Sequence, residues 1–191
     1  DLNVIVNETV RCRGIVRGLL EFARQTAPEK KAVDVHDIIE EVLRMVTNQE
    51  LFQNIEVHKD YDLRAPHLMV DRDQIKQVIL NILVNAAEAM GKTGNIRIRS
   101  EWKEDRAQLA LHFVDSGPGI EPEVLNKLFD PFFTTKEMGT GLGMAISYGI
   151  VKGHRGSIDV ISEPGKGCEV IVTLPAGQPG SRRAIASSRS F

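Results

Sequence analysis

Gly139, Gly141 and Gly143 stand in the run Gly139-Thr140-Gly141-Leu142-Gly143, immediately before a stretch with apolar residues at Ala145, Ile146 and Ile150. Glycine tolerates positive φ and lets a ligand approach the backbone closely. The helix expected over residues 143–153 would offer that ligand free N–H groups and the positive end of its dipole, which suits an anion. Upstream, Asp115 closes an alternating apolar run and precedes Ser116-Gly117-Pro118-Gly119. A carboxylate at a strand end, in such a turn, can accept a hydrogen bond from the exocyclic amine of a purine. Asn81 and Asn85, four residues apart, share one helix face with Val78, Ile82 and Ala89. Their amide oxygens suit a hard cation such as Mg2+, which keeps several waters and bridges phosphate oxygens.

Each feature also has a plainer reading. The Asp-Ser-Gly-Pro-Gly turn can simply end a strand, paired asparagines can cap or brace helices, and a triple-glycine loop can be merely flexible. The commonest phosphate fingerprints do not fit. The glycines follow Phe132-Phe133-Thr134-Thr135-Lys136-Glu137-Met138 rather than a strand, and their spacing is not G-x-G-x-x-G. Gly91-Lys92 and Gly165-Lys166 lack the upstream glycine of a P-loop, and the motif set of protein kinases is missing. It is the three features together, in this order around one sheet, that point to a nucleotide cleft.

The elements that must position them are legible in the hydrophobic spacing. Leu2, Ile5, Thr9, Cys12, Val16, Leu19 and Ala23 recur at steps of three and four, the seam of a helix that packs on partner helices, and Pro28 ends the pattern. Asp34 is placed to cap a second helix with Ile38, Ile39, Val42, Leu43 and Val46 inward. Asp71 and Gln74 have capping-box spacing and open a third over residues 72–90. Alternation predicts strands over residues 54–61, 95–102, 107–115, 157–162 and 168–174, the second and third joined by the turn at 103–106 and the last two by that at 163–167. One or two helical turns are expected over 121–128. The order predicts an α+β fold: a two-layer sandwich with a mixed, mostly antiparallel sheet covered on one face by helices, preceded by one long helix. Its divisions are residues 1–27, 34–175 and a polar, flexible tail at 176–191.

The chain has 191 residues, 42% hydrophobic and 26% charged, with a formal net charge of −2. These values fit a globular domain and give no reason to expect nucleic acid as a partner. Cys12 and Cys168 are too few for a disulfide framework and lack metal-ligand spacing, which fits a reducing, cytoplasmic setting. No apolar run is long enough to span a bilayer, so any membrane contact is expected through segments outside this sequence.

Five ordered motifs then resemble the ATP-binding catalytic region of bacterial sensor histidine kinases, nearest to the nitrogen-regulation subtype: NILVNAAEA from Asn81, DSGPGI from Asp115, LFDPFF from Leu128, GTGLGMAI from Gly139 and GKGCEV from Gly165. The resemblance covers residues 1–175 and implies ATP and Mg2+ as ligands. It implies that Asn85 ligates the metal with Asn81 assisting, beside Glu88 and Ala89. Asp115 would bind the adenine amine in a pocket shaped by Gly117, Gly119 and Ile120, with Cys168 where the family has a hydroxyl. Residues 130–138 would form a lid anchored by Phe129, Phe132 and Phe133, with plain core packing the alternative for all three. Lys136 would face the terminal phosphate. Gly139, Thr140, Gly141, Leu142, Gly143 and Met144 would form the phosphate loop.

The resemblance further implies a response-regulator receiver domain as partner and a homodimer through the helix bundle of residues 1–27. Asn81 stands where hydrolysing relatives carry a glutamate, and an amide cannot act as a base. Transfer to an external nucleophile is therefore expected, not hydrolysis. The family's phosphoacceptor lies in His-Glu/Asp-x-x-x-Pro. Among His36, His58, His67, His112 and His154 only His36 precedes an acid, and residue 40 is Glu. The sequence is accordingly expected to be a fragment whose acceptor helix lies outside it. Two alternatives stay open: a serine kinase of the anti-sigma type, and a nucleotide-binding regulatory module without kinase activity.

Overall fold

A computed structural model describes Thr9, Val16 and residues 27–136 and 139–177. The expected seam helix lies outside the described residues except for Thr9 and Val16, both helical, and the expected tail lies outside them beyond Gly177.

The elements in chain order are β1 (Lys31–Val33), α1 (Val35–Val46), β2 (Asn54–Asp60), β3 (Leu68–Val70), α2 (Arg72–Ala89), β4 (Thr93–Lys103), β5 (Gln108–Asp115), α3 (Pro122–Leu125), α4 (Gly143–Gly153), β6 (Ser157–Ser162) and β7 (Cys168–Pro175). Five strands form one sheet in the order β2-β4-β5-β7-β6. β2 pairs with β4 in parallel and the other neighbours are antiparallel, so the sheet is mixed and mostly antiparallel as expected.

Both predicted caps form. The Asp34 carboxylate accepts from the His36 N–H at 2.9 Å, and Asp71 accepts from the N–H groups of Asp73 and Gln74 at 3.1 Å. α1 buries Val35, Ile38, Ile39, Val42, Leu43 and Val46, and α2 buries Ile75, Val78, Ile79, Ile82, Leu83, Ala86 and Ala87. These stripes meet Ile96, Ile98, Leu109, Leu111, Phe113, Val172 and Leu174 in one apolar core. Fully burying each large side chain of that set favours the fold by about 1.5–3 kcal/mol.

Three local details depart from the sequence reading. β1 and β3 pair as a separate antiparallel ribbon, Lys31 opposite Val70, where no strand was expected. Three residues are too few to show alternation, and their pairing is non-local. The second half of the capping box is replaced: the Asp71 N–H donates to His154 Nε2 at 3.0 Å. Finally, His36, expected from the sequence as a helix-surface histidine, has a ring that does not lie free. Its Nε2 meets the Ser100 hydroxyl at 2.9 Å and its face stacks on Tyr61 with centroids 4.6 Å apart, joining α1 to the sheet.

Candidate functional site

A cleft of about 820 Å3 opens between α2, the end of β5 and the loop that leads into α4. Of the residues predicted from the sequence, Gly117, Phe129 and Leu142 alone lie off its wall, apart from Phe132. Leu142 is buried in the core below the loop, and Phe129 packs against that core with its ring 5.3 Å from Tyr148. Gly117 contributes from behind the wall, donating its N–H to Asp115 Oδ1 at 2.8 Å.

Asp115 is 8% exposed. Burial pushes its pKa above the ordinary carboxylate value, opposed by the hydrogen bonds it accepts from the N–H groups of Gly117 and Cys168. A half-satisfied carboxylate in an otherwise apolar recess can still accept from a ligand amine. Cys168 lies opposite Asp115 in the β5–β7 register. Burial, and then the neighbouring Asp115 carboxylate, push its thiol up to about 11, so it presents a neutral S–H rather than a nucleophilic thiolate. Gly119 (φ 77°) packs so tightly that a Cβ would fall 2.1 Å from the Glu163 carbonyl oxygen, which closes this end of the cleft.

At the other end, α4 begins at Gly143 with no side-chain cap; Thr140 Oγ1 lies 3.4 Å from the Leu142 N–H. The first turn of a helix has no intrahelical acceptors for its N–H groups, so an anion on the cleft side would meet free donors. Gly141 (φ 67°) holds this loop against the preceding segment: a Cβ would lie 2.4 Å from the Phe132 carbonyl carbon, and its own carbonyl accepts from the Phe132 N–H at 3.0 Å. Phe132 is therefore held by its backbone, at φ 67°, while its ring is 55% exposed and anchors nothing. Phe133 is the phenylalanine of this box on the cleft wall.

The two asparagines behave differently. Asn81 donates its amide N–H groups to the Gly143 carbonyl at 3.1 Å and to the Ser147 hydroxyl at 3.2 Å, bracing α2 against the first turn of α4. Asn85 offers its Oδ1 to the Lys136 ammonium at 3.0 Å, and the same ammonium forms a close ion pair with Glu88. Thr134 and Thr135 also line the cleft and were not singled out from the sequence. The signal available was their position, two hydroxyls directly before the one lysine of the segment. Among the described residues, no group of His, Cys, Asp and Glu forms a metal centre by itself, and no helix is long and apolar enough to cross a membrane.

Residues 70–178 match the family described as histidine kinase-, DNA gyrase B-, and HSP90-like ATPase. The chain is 36% identical over 181 residues to the signal transduction histidine-protein kinase AtoS of Escherichia coli (strain K12), covering 95% of this chain and 30% of that protein. It is 33% identical over 175 residues to the sensory histidine kinase/phosphatase NtrB of Rhodobacter capsulatus, covering 86% and 49%. Among solved structures, the nucleotide-free catalytic domain of histidine kinase ThkA superposes with a TM-score of 0.70 at 34% identity, over 78% of this chain and 96% of that one. ThkA in complex with the response regulator TrrA superposes with a TM-score of 0.76 at 31% identity, over 92% and 50%. The chain thus spans between about a quarter and a half of the length of these and other curated relatives it matches.

Proposed function

The chain belongs to the histidine kinase-, DNA gyrase B-, and HSP90-like ATPase family, and from that premise we propose that it is the ATP-binding catalytic part of a sensor histidine kinase, transferring the γ-phosphate of Mg-ATP to a histidine for relay to a response-regulator aspartate. The observation that carries this reading is the polarity of the cleft. A buried carboxylate, Asp115, stands at one end, and an uncapped helix start with Lys136 nearby stands at the other. A purine amine and a polyphosphate are the two ends of one ligand.

In this reading Asp115 accepts from the adenine amine, with Gly119, Ile120 and Cys168 shaping the pocket around the ring. The N–H groups of Gly143 and its loop neighbours bind the phosphates. The divalent ion fits a donor that this structure already uses for a cation: Asn85 Oδ1 accepts from the Lys136 ammonium. A bound divalent ion would supply neutralisation of negative charge on the phosphate oxygens. Lys136 holds positive charge near the terminal phosphate. Asn81, an amide committed to Gly143 and Ser147, does not take a proton from water. The site is thereby suited to orienting phosphate for in-line attack by another nucleophile.

The nucleophile we propose is a histidine on a segment outside residues 1–191. None of the five histidines stands in a His-Glu/Asp-x-x-x-Pro pattern. His36 is engaged by Ser100 and Tyr61, and His112 and His154 are buried. The exposed His58 and His67 are followed by Lys59 and Leu68 rather than an acid. Residues 1–27 would serve as a dimerisation helix. A receiver domain would be the downstream partner, a reading supported by kinship with ThkA, which forms a complex with a response regulator.

Calorimetric titration with ADP and a non-hydrolysable ATP analogue tests the reading. Micromolar binding is expected, on the order of 7–8 kcal/mol. Asp115→Asn should weaken both ligands by about tenfold or more, and Asn85→Ala should remove the dependence on Mg2+. Labelled phosphate passing to a histidine-bearing hairpin added in trans, in acid-labile form, would complete the case. No nucleotide binding by the unmodified chain would sink it.

A further inference from the structure

Four charged side chains line the cleft among the described residues: the carboxylates of Glu88, Asp115 and Glu121 against the single ammonium of Lys136. That is the wrong sign for a polyphosphate. A carboxylate facing a triphosphate across the cleft is repelled by it unless a cation stands between them. Glu88 is the acute case, because it sits one helical turn beyond Asn85 on the same face of α2.

One point on the cleft wall already holds a positive charge between two oxygen donors. The Lys136 nitrogen lies 3.0 Å from Asn85 Oδ1 and in close contact with a carboxylate oxygen of Glu88, so an amide oxygen and a carboxylate oxygen converge on one point of positive charge. Oxygen donors of these two kinds are those that hard divalent ions select. The Asn81 amide N–H groups are spent on Gly143 and Ser147 instead of on this pair.

Resting on the nucleotide-binding reading above, we propose that Glu88 is the second protein donor to the divalent cation beside Asn85, directly or through one water, and that Lys136 is the ion's stand-in before nucleotide arrives. Binding of the divalent ion displaces the Lys136 ammonium from Glu88 and frees it for the terminal phosphate. Discrimination between ATP and ADP by this lysine then depends on the metal, since without it Lys136 stays on Glu88. Both partners of the pair are about two-fifths exposed, so the exchange requires no core rearrangement.

Mn2+ serves as the probe, its free ion followed by electron paramagnetic resonance, with ADP affinity measured separately in excess chelator. In saturating ADP, Glu88→Gln is expected to weaken Mn2+ binding by about tenfold or more, while its metal-free ADP affinity rises because a like charge has gone. Lys136→Met is expected to strengthen Mn2+ binding to the nucleotide-free protein by removing the competitor. Mn2+ affinity of Glu88→Gln within about twofold of the unmodified protein would overturn the assignment. So would a parallel loss of metal-free ADP affinity, which would make Glu88 a nucleotide contact, and an unchanged Lys136→Met would remove the exchange. If the unmodified protein bound neither ADP nor ATP, the nucleotide reading itself would fail, a result separate from all of these. Thermal melts of both variants confirm that they fold.

Discussion

The two ends of α4 are built on opposite rules. At its C-terminus every available group is used. His154 donates its backbone N–H to the carbonyls of Ile150 and Val151 and its Nδ1–H to Ile150, while Nε2 accepts from the Asp71 N–H. Lys30 adds its ammonium to the Gly153 carbonyl at 3.1 Å, and Glu29 joins the cluster by donating its N–H to Asp71. At the N-terminus of the same eleven-residue helix, no side chain caps the first turn, and the loop in front passes through positive φ at Gly141. A helix end costs stability when its groups go without partners. The sequence satisfies the end that holds the fold and leaves unsatisfied the end that meets the cleft. The difference teaches where to look for a ligand: at the terminus that the fold has declined to cap.

The most damaging change to this contrast is Gly141→Val at the open end. A side chain would strike the Phe132 backbone and force β-branched φ into the left-handed region. Affinity for the ATP analogue should fall by about 100-fold or more, roughly 3 kcal/mol, with AMP affected far less, as calorimetry can read. At the closed end, His154→Ala should do the reverse. It leaves the Asp71 N–H orphaned and a cavity behind α4, costing about 2–3 kcal/mol in denaturant unfolding, while nucleotide affinity stays within about twofold. Equal effects on both properties in both variants would erase the comparison.

Acid should attack the closed end. Burial, and to a smaller degree the Lys30 charge, hold the His154 pKa below its ordinary 6.5, with the hydrogen bond to Ile150 and the Asp71 carboxylate opposing. The folded state therefore resists a proton that the unfolded chain accepts. The stabilisation is fully present above 6.5 and declines as pH falls below it towards the depressed folded value. Unfolding curves between about pH 5 and 7 should show this slope, and His154→Ala should lose it. The smallest effect is expected from Ser147→Ala, which removes one acceptor of the Asn81 brace between α2 and α4. About 1 kcal/mol of stability is the expected loss, with a several-fold loss of phosphate affinity if the brace also sets the loop. A stability loss without that second loss would make Asn81 a purely structural residue.

Much of this is legible along the chain. The caps at Asp34 and Asp71 and the buried faces of α1 and α2 form where their spacing predicts them. So do the β4–β5 and β6–β7 hairpins. Most residues of the five motifs do line one cleft. What the sequence hides is short or distant. β1 and β3 have three residues each and exist only as each other's partner. Phe132, expected as one of three anchors of the 130–138 segment, is held through its backbone while its ring is exposed. Thr134 and Thr135 carry no periodic signal at all.

The sequence by itself determined the longer elements, their side-chain caps and turns, and most of the residues able to serve a nucleotide, because helix and strand periodicity, capping and glycine conformation act over a few neighbouring residues. Only the tertiary structure decided which partner each polar group takes. Nothing local says that the Asp71 N–H belongs to His154, that Asn81 spends its amide on Gly143, or that Lys136 rests on Asn85 and Glu88. Those pairings join segments far apart in sequence, and a hydrogen bond or ion pair is decided by which groups burial of the core brings within reach.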